Sequence, residues 1–452
     1  MADLEAQLSG VIAAERLLSG DRIGDDYTHD EALTATPHMP DVVARPESAD
    51  EVAAVLRLAN ELGVPVTARG SGTGLSGACV TGAGGILLSF ERMNHILEID
   101  TENHAAVVEP GVTLAQLDEA TAAQGLVYPV FPGESSASLG GNVATNAGGM
   151  RAVKYGVTRH QVLGVEAVLA TGEVIRTGGK FVKATTGYDL TQLIVGSEGT
   201  LAIVTEATLK LYPRPEHAAT VLAPFRTLDD VTAAVPRIVD SGVGPLILEY
   251  IDLLTMAAMT ANVDLDLGIP QAIKDTALAY LVVVMENTDS DRLDVDVQTV
   301  AEMVTDLGAI DVYVLPPQAA AHLIDAREKS FFVAKAHGAN DIVDVVVPRA
   351  AIPKYMTRVS EVAQLHESLV AGCGHAGDGN VHLAIFQPDP AKRAEVMRGI
   401  LAAGMEVGGA ISGEHGIGSE KKRYFLELED PVKIALMQRI KAAFDPNGIL
   451  NP

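Results

Sequence analysis

Glycine is unevenly placed in this 452-residue chain. Its 43 glycines crowd into Gly70–Gly85, Gly133–Gly149, Gly372–Gly379 and Gly404–Gly418. A glycine-rich stretch lets backbone turn through positive φ and lets a ligand or a second strand approach the main chain closely. The chain must therefore hold four irregular, closely packed segments on a scaffold supplied by the sequence between them.

That scaffold is legible. Ser48 and Glu51 at capping-box spacing, then Val52, Val55, Leu56, Ala59 and Leu62, then Gly63, predict a helix over 48–62. PVTAR predicts a strand running into the first glycine loop, and strands follow near 86–90, 96–99 and 105–108. Thr113 and Gln116 open a second capped helix that stops by Gly125, VEAVLATGEVIRT reads as a hairpin turning at Thr171–Gly172, and LAIVTEATLKLY as a strand ending before Pro213 and Pro215. Beyond Pro213–Glu216, helices over 228–239, 291–307, 319–336 and 350–365 alternate with strands such as ALAYLVVVM and DVVVP, and a last helix covers 431–444. This order predicts an α+β second half built on an antiparallel sheet.

The first glycine loop, Gly72-Thr73-Gly74-Leu75-Ser76-Gly77, matches GxGxxG, follows a strand, and has Glu98 or Asp100 where a ribose ligand would lie. A dinucleotide fingerprint also needs its last glycine to open a helix. Here ACVTGAGGILLSF follows, whose Gly82, Gly84 and Gly85 break any helix. The loop is left as either a nest of backbone N–H groups for phosphate or a plain turn. The second segment, PGESSASLGGNVATNAGG, combines bare backbone with hydrogen-bonding Ser135, Ser136, Ser138, Asn142, Thr145 and Asn146. That mixture suits a large flat or phosphorylated ligand more than a packed core.

The third and fourth clusters carry chemistry. His375 and His382 flank Gly377-Asp378-Gly379-Asn380, a turn composition, so a hairpin would bring both imidazoles to one place. ISGEHGIG adds Glu414 and His415 between glycines. Two histidines and a carboxylate are a common shell for a catalytic divalent metal. Adjacent residues in extended chain face opposite ways, which leaves His415 as a general base.

Composition excludes other classes. Lys plus Arg number 33 against 59 Asp plus Glu, a net charge of −26, which disfavours nucleic acid and anionic membrane surfaces. No apolar run is long enough to span a bilayer, and MADLEAQLSG lacks a secretory n-region, so no integral membrane association and a cytoplasmic location are expected. Two cysteines, Cys79 and Cys373, leave no disulfide framework or iron–sulfur pattern.

ARGSGTGLSG, PGESSASLGGNVATNAGG, RAVKYG and GSEGT together resemble the FAD-linked oxidase family of the vanillyl-alcohol oxidase and p-cresol methylhydroxylase superfamily. The branch is that of D-lactate dehydrogenase, the glycolate oxidase D subunit and D-2-hydroxyglutarate dehydrogenase, and the likeness covers about residues 36–452. It implies a two-subdomain FAD-binding domain over 1–215, with its core from about 36. An α+β cap binding substrate and metal would follow over 216–452, its C-terminal tail returning to the flavin domain. Arg69, Gly70, Ser71, Gly72, Thr73 and Gly74 would lie near the pyrophosphate. Pro132, Gly133, Ser136, Gly140, Gly141, Asn142, Ala144, Thr145, Gly148 and Gly149 would run along the ribityl chain and flavin ring, joined by Gly156, Glu198, Gly199 and Ile203. Thr73 stands where several relatives carry a flavin-linked histidine, so the resemblance implies noncovalent FAD.

It also implies that His375, His382 and Glu414 bind the metal, with zinc ahead of manganese or iron, and that His415 is the base. Arg327 would bind the substrate carboxylate, with Asn380 and Arg349 as further substrate contacts. Hydroxyglutarate-specific relatives carry Asn, Thr and Lys where this chain has Ala384, Phe331 and Ile342, which points to a short or apolar 2-hydroxy acid, D-configured where chiral. The alternatives are a D-2-hydroxyglutarate dehydrogenase, the flavin subunit of a glycolate oxidase complex, and more remotely a metal-dependent hydrolase. Quinone, cytochrome or electron-transferring flavoprotein all qualify as acceptor, and homodimer and partner subunits are both open.

Overall fold

The computed structural model describes residues 2–82, 84–263 and 265–452. The chain divides into two compact units that are not single stretches. The first comprises 1–147, 157–214 and 414–452; the second comprises 148–156 and 215–413. The division differs from a single cut at 215 by placing 148–156 in the second unit and 414–452 in the first, the latter containing the tail whose return the resemblance implied. Met150 joins the core of the second unit, and Ile449 and Leu450 join a core of the first.

In the first unit, helix α1 (Ala49–Leu62) starts at Ser48, whose side chain accepts from Glu51 N, and ends at Gly63 with φ 65°. Only half of the expected capping box forms. The Glu51 carboxylate goes to the Arg16 guanidinium and to Glu47 N. Val52, Val55, Leu56 and Ala59 are fully buried against β1 (Val66–Arg69) and β2 (Ile86–Ser89), which pair in parallel. Each such burial contributes roughly 1–3 kcal/mol of transfer free energy. Leu450 makes a parallel bridge to Val66, so the C-terminal segment extends this sheet.

A second core gathers around helix α2 (Leu114–Ala122), whose capping box between Thr113 and Gln116 is complete, and the short helix α3 (Leu139–Thr145). It lies against a five-stranded antiparallel sheet that includes β3 (Val162–Val168), β4 (Val174–Gly178) and β5 (Ile203–Lys210). The β3–β4 hairpin turns at the expected place, with Gly172 at φ 85°.

The second unit is a seven-stranded antiparallel sheet. In spatial order it runs from the short strand Tyr313–Val314 to β6 (His217–Phe225), then the strands Ala279–Asn287, Ile247–Asp252, Leu369–His375, Asn380–Phe386 and Asp341–Val346. Numbered along the chain these are β7 (Ile247–Asp252), β8 (Ala279–Asn287), β9 (Asp341–Val346), β10 (Leu369–His375) and β11 (Asn380–Phe386). The helix expected over 319–336 is two helices, α4 (Pro317–Glu328) and α5 (Ser330–Ala336). Lys329 between them leaves helical geometry at φ −84°, ψ 6°, and apolar spacing continues across the break, so periodicity does not reveal it. Among the described residues no helix is long and apolar enough to cross a membrane.

Candidate active site

In the first unit the glycine loops surround a cavity of about 1290 Å³, open solvent at its mouth included. No helix follows the GxGxxG segment; residues 72–85 are irregular where described, so the loop is not a Rossmann turn. Gly70 abuts the Ser138 side chain, the N-cap of α3. Ser138 Oγ accepts from both Ser71 N and Gly141 N at 3.3 Å, which ties the two glycine segments together. Ser71 Oγ adds a bond to Ser136 O at 2.6 Å. Gly72 has φ 75°, and a side chain there would run into the Arg69 guanidinium. Arg69 itself is buried and donates to His29 O (2.7 Å) and Asp26 O (2.6 Å), so it fastens the 26–29 segment beneath the loop.

Of the residues the sequence assigned to a cofactor, Arg69–Gly74, Pro132, Gly140, Gly141, Asn142, Ala144, Thr145, Glu198, Gly199 and Ile203 line this cavity. Gly133 and Ser136 are not on its wall, and Gly148, Gly149 and Gly156 belong to the second unit. Asp30, Ala137 and Ile194 line it without having been singled out by sequence, and Ser76 and Ser138 of the two glycine segments join them. Asp30 accepts from Gly77 N at 2.8 Å, a contact between segments 47 residues apart that no local pattern encodes.

One feature of the wall fits a polar ligand. Asn142 is 5% exposed and its Nδ2 has no hydrogen-bond partner, which a stable fold tolerates poorly unless a ligand supplies one. Glu198 sits at φ 51°, a strained position for a non-glycine residue. Its carboxylate accepts from Gly418 N at 3.1 Å and its backbone carbonyl from Asn451 Nδ2 at 2.8 Å. Burial pushes the Glu198 carboxyl up to about 7 despite bonds from Gly418 and Ile417 N–H and the nearby Lys421 charge. Glu414 and His415 lie on the same wall, and Ser76 Oγ donates to His415 O at 3.1 Å. Cys79 also lines the cavity, its thiol pushed up to about 11 by burial, so it is protonated and inert at neutral pH.

In the second unit β10 and β11 form the expected hairpin. Its turn depends on Gly379, which has φ 93° and lies so close to Val347 O that a Cβ would overlap it. Gly372 and Gly374 likewise leave room for the backbone of β11. The His375 and His382 rings meet edge to face with centroids 4.7 Å apart. Glu249, on the strand flanking β10, reaches His375 Nδ1 at 2.5 Å. Asp344, on the strand flanking β11, faces His382 Nδ1 at 3.7 Å.

Glu249 is 1% exposed and paired with Arg327 Nη2 at 2.6 Å. Burial raises the Glu249 carboxyl, but Arg327 and His375 outweigh it, and the net shift is downward. Arg327, expected at the substrate carboxylate, is thus a buried residue that holds Glu249 and donates from Nη1 to Ser330 Oγ at 3.3 Å. Asn380 is buried with its amide donating to Asp344 Oδ1 (2.8 Å) and Val345 O (3.1 Å), which makes it a strut of the hairpin. Arg349 is exposed in the turn after β9. Cys373 is a buried thiol raised by its burial.

Residues 40–178 match the FAD binding domain model, and residues 214–452 match the model of the C-terminal domain of FAD linked oxidases. The chain is 59% identical to an FAD-linked oxidoreductase of Mycobacterium tuberculosis over 452 residues, covering 100% of this chain and 98% of the relative. It is 39% identical to a D-lactate dehydrogenase of Anaerostipes hadrus, covering 98% and 94%. It is 37% identical to the glycolate oxidase subunit GlcD of Bacillus subtilis, covering 94% and 91%. Among solved structures, p-cresol methylhydroxylase aligns over 100% of this chain and 96% of its own, with a TM-score of 0.82 at 20% identity, a likeness of fold.

Proposed function

We propose that this chain, which belongs to the FAD-linked oxidase family, oxidises a small 2-hydroxy acid of the D-lactate or glycolate type to the 2-oxo acid, with a divalent metal as second cofactor. The observation that carries the reading is the pair His375 and His382, 4.7 Å apart between ring centroids on adjacent strands with a carboxylate behind each. A structural hairpin does not need two adjacent imidazoles backed in this way, whereas a cation site does.

The cavity fits FAD in the chemistry of its wall: two loops of bare backbone and the unpartnered amide of Asn142. The second unit fits a borderline metal through imidazole donors, with zinc ahead of manganese or iron. Glu414 is the proposed third ligand. It follows Gly413 directly in the chain, and Gly413 N is held by Asp344 Oδ2 at 3.0 Å, on the carboxylate that faces His382. When bound, the flavin supplies a two-electron acceptor and the metal a Lewis acid that lowers the pKa of a coordinated hydroxyl.

The chain's own residues do the rest. His415 takes the hydroxyl proton, with its backbone fixed by Ser76. Arg327, with Nη2 on Glu249 and Nη1 on Ser330 Oγ, offers the substrate carboxylate its positive charge but no free bidentate fork. Ile342 and Ala384 are cross-strand partners two positions along from Asp344 and His382, hence on the same face of the sheet. That apolar row offers nothing to a second carboxylate and supports a short or apolar substrate tail.

The test is anaerobic mixing of the purified flavoprotein with D- and L-lactate, glycolate, D-malate and D-2-hydroxyglutarate. Bleaching of the oxidised flavin by D-lactate or glycolate is expected. Bleaching by D-2-hydroxyglutarate alone overturns the substrate assignment. The similarity to a glycolate oxidase subunit favours one further arm: bleaching without steady turnover on artificial acceptors would indicate that partner subunits carry the electrons onward.

A further inference from the structure

From the central strand of the seven-stranded sheet to its edge, four neighbouring strands carry Glu249, His375, His382 and Asp344. Asp344 and His382 are register partners, as are His375 and Asn380 at the turn, and Tyr250 pairs with Gly374. The row reads carboxylate, imidazole, imidazole, carboxylate. Both histidines turn Nδ1 outward to the flanking carboxylate, at 2.5 Å to Glu249 and 3.7 Å to Asp344.

From this we infer that Glu249 and Asp344 are positioning residues that orient His375 and His382, so that both present Nε2 to one cation. The inference rests on the metal reading above and deepens it. A neutral imidazole carries one N–H, and the nitrogen facing a carboxylate is the one that keeps it, which leaves the other nitrogen's lone pair for a metal.

The two carboxylates are held differently. Glu249 is the closer partner and is fully buried, where an unpaired charge would be costly. Arg327 Nη2, at 2.6 Å, supplies the countercharge, so Arg327 supports the metal site through Glu249. Asp344 is 0% exposed and is fixed from every side by hydrogen-bond donors. Asn380 Nδ2 reaches Oδ1, and Ser412 Oγ (2.7 Å) and Gly413 N (3.0 Å) reach Oδ2. One carboxylate therefore faces His382 and also anchors the peptide that leads into Glu414. Its 3.7 Å separation from Nδ1 is longer than a hydrogen bond, so its hold on His382 is electrostatic and weaker.

The test compares the full-length flavoprotein with Glu249→Gln, Asp344→Asn and the double variant Glu249→Gln/Arg327→Gln, which removes both partners of that ion pair should the single variant, with Arg327 left unpaired, fail to fold. Zn2+ affinity is read by chelator competition, the histidine tautomers by 15N NMR, and the Zn2+ ligand shell by X-ray absorption. The expected result is a loss of Zn2+ affinity of about 10–100-fold in each variant, larger for Glu249. Flavin content should be unchanged, and the wild-type imidazoles should be protonated at Nδ1. Wild-type affinity in all three variants overturns the inference, as does protonation at Nε2. Loss of an oxygen neighbour from zinc in Asp344→Asn overturns it for Asp344, making that residue a ligand. A wild-type protein that binds neither Zn2+ nor Mn2+ overturns the metal reading itself.

Discussion

Glu249 and His375 are 126 residues apart in sequence and meet at 2.5 Å through Oε1 and Nδ1. The contact joins two neighbouring strands of one sheet, and Arg327 closes it from the other side at 2.6 Å.

His415→Asn should lower kcat by about 10²–10⁴ while leaving flavin bound, because a positioned general base contributes on that order. Ser76 holds the backbone carbonyl at 415, so the loop should keep its course. Steady-state rates and the flavin absorbance of the purified variant check both halves, and an active variant removes His415 from the mechanism.

Metal removal should separate the two cofactors. Dialysis against a strong chelator should abolish turnover and leave the flavin spectrum in place, and Zn2+ or Mn2+ should restore activity. Turnover that survives with no metal detectable by elemental analysis would falsify the metal requirement.

Gly379→Ala places a Cβ at φ 93° against Val347 O. We expect a stability cost of about 1–3 kcal/mol, seen as a lower urea midpoint, from strain at a left-handed turn. Metal affinity should fall with it, since this turn aligns β10 and β11. Flavin content should not change.

Glu198 gives a pH signature. Its folded-state carboxyl lies at about 7 against an ordinary 4.5. A raised acid stabilises the fold fully below about 4.5 and loses that contribution as pH rises through about 7. Glu198→Gln should therefore match wild type near pH 4.5 when each is compared with its own maximum. It should then escape the decline that wild type shows up to pH 8. Thermal melts across that range decide it, and parallel curves for the two proteins would remove Glu198 as the source.

Substrate choice can be moved at the apolar row. Ile342→Lys adds a cation beside Ala384, its register partner. The ratio of kcat/KM for D-2-hydroxyglutarate over D-lactate should rise by about 10–100-fold, the range for a hydrogen bond to a charged group. An unchanged ratio would place the substrate tail elsewhere.

The amino-acid sequence by itself determined the local features. α2 with its complete capping box, the turn at Gly172 and the hairpin between His375 and His382 all follow from residues within a few positions of one another. The glycine segments pointed to a ligand surface because bare backbone is a local property, and most of the residues that the family resemblance implied for the cofactor line the cavity. The irregular chain after Gly77 also ruled out a Rossmann turn at the level of sequence.

Only the tertiary structure decided which groups stand behind the histidines. Glu249 lies in ILEYID, an ordinary strand sequence, and nothing near it signals a partner. Arg327 looks like a helix-face charge until α4 and α5 break at Lys329 and its guanidinium is found buried on Glu249. Asp344 acquires its role from pairing opposite His382. Strand order and register fix these neighbours. Both are settled by long-range pairing and core packing, so residues as far apart as Glu249 and His375, 126 positions, came together with no mark in either local sequence.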